Sequence, residues 1–198
     1  MRKLPIFMLA FALSGGFSCA LRPSVAGDAV LPAVSAAPPA AAAANPADEV
    51  EALLARHLTG LAPFEVRRTA EALIAEAKRN RIEPELVLAV IHTESGYYNF
   101  ARSSVGALGL MQIMPATGEM LAREAGIPWT GADLLFEPTL NLRLGTRYLA
   151  LLHARYGNWT RALAAYNWGP GAIDRRLAEG QGLPVQYTDR VYSQLARQ

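Results

Sequence analysis

From Val50 onward, apolar side chains recur at three- and four-residue intervals, and no stretch alternates in strand fashion for more than a few residues. A period near 3.6 gathers such side chains on one face of a helix, whereas a half-buried strand needs a period of two. The chain is thereby restricted to a mainly α fold. Val50, Leu53, Leu54, His57, Leu58 and Leu61 mark a first helix, with Gly60 near its end. A second is expected over about 64–79, with Ala70, Leu73, Ile74 and Ala77 on one face. A third opens at Pro84, whose fixed φ and missing N–H suit a first turn, and carries Glu85 against the positive end of the macrodipole. It closes at Gly96, a residue type suited to the left-handed position after a helix. Further helices are expected at about 115–125, 138–156, 159–167 and 170–179.

The residues ahead of that pattern belong to a different regime. Of the 198 residues 52% are hydrophobic, and part of that fraction sits where it serves no core. Arg2 and Lys3 precede an apolar run from Leu4 to Leu13, followed by small residues from Ser14 to Ala20. A charged start, a short apolar centre and a small-residue exit describe a secretory signal over 1–26. Cleavage is expected near 20 or 26, at Ser18-Cys19-Ala20 or Ser24-Val25-Ala26. A helix of that apolar run would be about 15 Å long, half a bilayer core, so no transmembrane anchor is expected. Cys19 opens a second route, lipidation and retention as an outer-membrane lipoprotein, although Gly16-Phe17-Ser18 is a poor fit to it. Residues 27–47 are almost wholly Ala and Pro, lack the large side chains that would offset ordering entropy, and read as a flexible linker. That leaves 48–198 as one domain.

Charge and cysteine count then exclude whole classes. The chain has 19 basic and 17 acidic side chains. Loss of 1–26 removes Arg2, Lys3 and Arg22, leaving 16 basic against 17 acidic groups, no footprint for nucleic acid. One cysteine forbids a disulfide scaffold or a cysteine-rich zinc site. His57, His92 and His153 are scattered without a His-Glu-x-x-His pattern, so neither metal nor cofactor is expected. Arg67-Arg68 and Arg175-Arg176 read as solvated helix faces, favourable near an anionic wall polymer.

One residue of the third helix is out of place. Leu86, Val90 and Glu94 are spaced by four, so Glu94 lies along the apolar stripe in the last turn, where the macrodipole is negative. Desolvation and dipole both disfavour the carboxylate, and a carboxyl held protonated near neutrality can act as a general acid. The alternative is a helix-end glutamate that swings into solvent. Between Tyr97 and Gly118 the chain has no Asp or Glu, and it offers glycines, hydroxyls and an amide, a lining suited to a neutral, hydroxyl-rich ligand such as a sugar.

Three blocks in order carry a resemblance: Glu94-Ser95, then Gly109-Leu110-Met111-Gln112-Ile113-Met114-Pro115, then Ala164-Ala165-Tyr166-Asn167-Trp168-Gly169-Pro170-Gly171. Across roughly 65–195 the chain resembles the lytic transglycosylases of the soluble type, family 1. The resemblance implies a lysozyme-like helical fold and the glycan strands of peptidoglycan as substrate, while the secretory signal over 1–26 implies a periplasmic location. It implies Glu94 as the single acid/base, with Ser103, Gln112, Met114, Tyr166 and Asn167 lining the saccharide cleft. Tyr187-Thr188-Asp189-Arg190-Val191 resembles the family's last helix less clearly. Tyr98-Asn99 replaces the usual Asn-Pro, Trp168 replaces a small residue, and Leu183-Pro184-Val185 stands where acidic and Thr-Arg residues often occur. Trp168 and Tyr98 offer aromatic faces to sugar rings, against the commoner state of a core-packed tryptophan.

Most glycosidases set two carboxylates about the bond. Here Glu119 and Glu124 read as solvated, and Asp133 and Asp174 as helix caps. A lone carboxyl fits the mechanism implied by the resemblance, a 1,6-anhydro product formed without water. The rival readings are a lysozyme-type hydrolase and a non-catalytic wall-binding or assembly module of a secretion or pilus apparatus. Alanine at Gln112 or Tyr166 is expected to lower turnover without unfolding the domain.

Overall fold

The computed structural model describes residues 45–197. The expected signal over 1–26, Cys19 and most of the 27–47 linker lie outside the described residues. The described chain is mainly helical, as expected: α1 Pro46–Ala55, α2 Pro63–Asn80, α3 Pro84–Ser95, α4 Pro115–Glu124, α5 Pro138–Tyr156, α6 Trp159–Trp168, α7 Pro170–Ala178 and α8 Gln186–Leu195. A single 3-10 turn, Ala132–Phe136, precedes α5. Six of these eight helices begin with proline, which supplies a helical φ where no N–H is needed. Side chains complete some of the starts: Asn45 accepts from Ala47 N–H at 3.1 Å, and Glu137 accepts from Leu140 N–H at 2.5 Å.

The first helix differs from its expected range at both ends. It starts at Pro46, so the buried Ala47 belongs to the folded chain and not to the Ala/Pro stretch. It stops at Ala55, and Leu58 is 86% exposed. Gly60 at φ +74° and Pro63 keep the connection out of helix, since proline restricts the residue before it and a left-handed φ breaks the ladder. Arg67 stays at the surface, as expected, but is not free there. It pairs with Asp48 at 2.5 Å, Glu51 at 2.9 Å and Glu71 at 2.7 Å, and so ties α2 to α1.

The centre of the domain is α3. Leu86, Val87, Leu88, Ala89, Val90 and Ile91 are buried in succession, so the helix is apolar all round and not merely along one stripe. It packs against α2 and α8, while α5 packs against α2 and α6. Glu94 thus leaves the core at the end of its most buried helix. Among the described residues, no helix is long and apolar enough to cross a membrane.

Candidate active site

Gly96, at φ +59°, ends α3 one residue past Ser95 and leaves Glu94 in the last turn, as its spacing requires. The carboxyl does not swing out. Tyr187, 2% exposed at the start of α8, donates its hydroxyl to Glu94 Oε1 at 2.6 Å. Burial raises the Glu94 pKa from 4.5 to about 7, opposed by the Tyr187 hydrogen bond and the Arg190 charge, both of which favour the carboxylate. No other carboxylate figures among these causes. Burial wins, and the group is poised to hold or release a proton near neutrality.

The nearby acids have other occupations. Glu119 and Glu124 are exposed on α4. Asp133 and Asp174 do not cap helices as expected. Asp133 is solvent-facing beside Arg102 at 3.4 Å, because Gly131 at φ +150° occupies the position before the 3-10 turn. Asp174 sits inside α7, where it accepts from Arg155 at 2.6 Å and from the Tyr156 hydroxyl at 2.8 Å.

The glycine-rich loop between α3 and α4 is held from three sides. Asn141, fully buried on α5, accepts from Met111 N–H at 2.8 Å and donates to Leu108 and Leu135 carbonyls at 3.0 and 2.8 Å. Tyr166 on α6 donates to Met111 carbonyl at 2.8 Å. Gln112, at φ +48°, donates its amide to the carbonyls of Ala101 and Gly109 at 3.0 and 2.9 Å. Two glycines permit this close approach. A Cβ on Gly109, at φ +79°, would collide with Asn141 and the Leu135 carbonyl, and one on Gly145 would collide with Met111 Sδ. Leu108 bridges both Arg102 and Ile113, two isolated antiparallel contacts in an otherwise helical domain.

Gln112, Met114, Tyr166 and Asn167 come together on one cavity of about 270 Å³, which also has Thr117 and Trp168 in its wall. No charged side chain lines it. Glu94 lies beyond its lining and is linked to it through Tyr166, whose phenol is pushed well above its usual pKa by burial and by the Glu94 charge. Ser103 also lies outside the lining; its hydroxyl accepts from Ala107 N–H at 2.9 Å and braces the loop. Trp168 is not core-packed, contrary to the expectation, but 51% exposed at the cavity, because it is the last residue of α6. Tyr98 sits elsewhere, edge-on to Phe100 at 6.1 Å. The histidines are less scattered than expected: His57 and His92 lie 6.3 Å apart, each against Tyr97, while His153 stacks on Trp159 at 3.9 Å. Among the described residues, no three acidic, histidine or cysteine side chains gather to hold a metal.

Tyr187 and Asn141 were not singled out by sequence reasoning. Tyr187 stood inside the weakly matching last segment, and nothing local signals that a residue 93 positions from Glu94 reaches it.

A helical domain with a half-buried carboxyl, held protonated by desolvation at the edge of an uncharged cleft, has the form of a lysozyme-like site. The family model of the transglycosylase SLT domain matches residues 71–186, and the chain belongs to that family. The soluble lytic murein transglycosylase of Salmonella typhimurium is 38% identical over 103 residues, covering 51% of this chain and 16% of that protein. Membrane-bound lytic murein transglycosylase C of Actinobacillus pleuropneumoniae is 35% identical over 107 residues, covering 49% and 29%. Among solved structures, an inactive mutant of the lytic transglycosylase Slt from Pseudomonas aeruginosa superposes with a TM-score of 0.56 at 34% identity, over 63% of this chain and 23% of that one. The 70-kDa soluble lytic transglycosylase in complex with bulgecin A gives 0.53 at 27% identity, over 64% and 21%. The chain therefore spans less than a third of each of these proteins.

Proposed function

We propose that this chain is a lytic transglycosylase of murein, cutting the bond between N-acetylmuramic acid and N-acetylglucosamine without water. The observation that carries the reading is Glu94: half-buried in the last turn of α3, bonded to Tyr187, held protonated up to about pH 7 by desolvation, and shifted by no second carboxylate. In the proposed sequence, Glu94 gives its proton to the glycosidic oxygen as the bond from C1 breaks. The muramoyl N-acetyl group assists from within the substrate. Glu94, now a carboxylate steadied by Tyr187, takes the proton of the same sugar's C6 hydroxyl, whose oxygen closes onto C1. The product is a 1,6-anhydro end, and Glu94 is again protonated. Gln112, Met114, Tyr166 and Asn167 form the glycan-binding wall, and Ser103 braces it. Residues 1–26 export the chain to the periplasm, the Ala/Pro stretch that follows links it, and the chain from α1 onward is the catalytic domain.

Glu94→Gln tests the assignment, since the amide can neither deliver nor accept the proton at these pH values. The variant is expected to keep the wild-type circular dichroism spectrum and lose cleavage of purified murein. Cleavage by Glu94→Gln at more than a few per cent of the wild-type rate would sink the reading.

A further inference from the structure

A second concavity lies apart from the cleft. It opens between the end of α2, the outer face of α5 and the first residue of α6, and shares no residue with the cleft wall. α6 spans the interval, from Trp159 in this groove to Trp168 in the cleft, about 15 Å for a helix of that length. The two main walls are tied together. Asn80, at the end of α2, donates its amide to the Thr146 hydroxyl on α5 at 3.0 Å and to the Glu76 carbonyl at 2.9 Å.

Two guanidiniums enter this groove, and no carboxylate lines it. Arg81 follows α2 in the left-handed conformation, φ +55°, where glycine or asparagine is the usual occupant. It is exposed and belongs to no ion pair among the described residues. Arg147, on α5, reaches Glu124 only at 3.8 Å, and its side chain is 43% exposed. Its Nε is shielded from solvent and has no acceptor, so the protein leaves this guanidinium short of partners.

The rest of the groove is largely apolar. Ala150, Leu151 and Ala154 form a stripe along α5, and Leu151 is 43% exposed. Trp159 adds its indole, stacked on the His153 ring at 3.9 Å. A bare phosphate would pair with the arginines and leave this apolar stripe wet. A short peptide with methyl side chains and free carboxylates uses both surfaces. Forked donors meet a carboxylate in two parallel hydrogen bonds, and the methyls cover leucine and indole.

We infer that this groove is an anchoring site for the carboxylate-bearing stem peptide of murein, separate from the catalytic cleft. The inference rests on the proposed murein activity and extends it from the glycan to the peptides. Arg81 and Arg147 hold a stem carboxylate, and the α5 stripe with Trp159 holds the alanyl methyls. No covalent step occurs there; the groove raises the concentration of strand at the cleft.

The test titrates the full chain calorimetrically with the free stem tetrapeptide of murein. Binding is expected, and the double variant Arg81→Gln/Arg147→Gln is expected to weaken it about tenfold, as loss of a charge-assisted pair does. The tetrapeptide with its carboxylates amidated is expected not to bind the wild-type chain, a comparison that needs no variant. In turnover, the double variant is expected to raise KM on stem-bearing murein and to leave kcat, and KM on strands stripped of their stems, unmoved. Absence of tetrapeptide binding, equal binding of its amidated form, or an unchanged KM on stem-bearing murein would each overturn the inference. So would binding of phosphatidylglycerol vesicles in place of the tetrapeptide, which assigns the groove to a phosphate surface. Failure of wild type to cleave murein overturns the underlying activity alone, because the peptide titration involves no turnover.

Discussion

Glu94 favours its protonated form in the folded state, and this has a consequence for stability as well as for rate. The folded chain binds that proton more tightly than the unfolded chain, so folding stability falls as pH rises from about 4.5 to about 7 and is level above. The rise in pKa corresponds to about 3 kcal/mol. Glu94→Gln removes this loss, and the variant is expected to melt above wild type at pH 8 with the difference shrinking towards pH 5. Parallel melting curves across that range would show that burial does not tax the carboxylate. Tyr187 acts in the opposite sense, because its hydrogen bond favours the ionised form. Tyr187→Phe is therefore expected to move the alkaline limb of activity to higher pH while lowering turnover. A fall in rate with the limb unmoved would reduce Tyr187 to a packing role.

At the scale of elements, the loop before α4 is placed by contacts from helices far along the chain. Asn141 satisfies one buried donor and two buried acceptors of that loop and its neighbour. Asn141→Leu strands all three and is expected to cost on the order of 3–5 kcal/mol, measured by urea unfolding. A loss under 1 kcal/mol would mean that the loop is held otherwise. The helices themselves were largely legible: Pro84 and Gly96 bracket α3, and the ranges from 138 and from 170 begin at prolines. The end of α1 was not, because Leu58 continues the apolar period although the backbone has left the helix by Gly60. Glu94 was legible because its anomaly is local, an acid in an apolar stripe. Tyr187 and Asn141 were not, because their partners lie 93 and about 30 residues away and no pattern within one helix encodes such pairings.

On the scale of the whole molecule, the architecture supports the proposed acid–base chemistry in a nearly neutral chain of moderate length. A helix whose middle, Leu86 to Ile91, is wholly buried runs through the centre, and its last turn delivers one carboxyl to the edge of an uncharged cleft. α1 and the start of α2 precede the family match at 71 and are joined through Arg67, so the described domain is larger than the matched segment. The opening pattern acquires a sharper sense: the helical period did not merely select a fold class, it set the helix whose burial raises the decisive pKa. In the proposed reaction the proton that the C6 hydroxyl releases as it closes onto C1 passes to Glu94, and no water enters the product. Mass analysis of the fragments released from purified murein tests this most directly. The account predicts muramoyl ends one water lighter than reducing ends; reducing ends as the main product would contradict it.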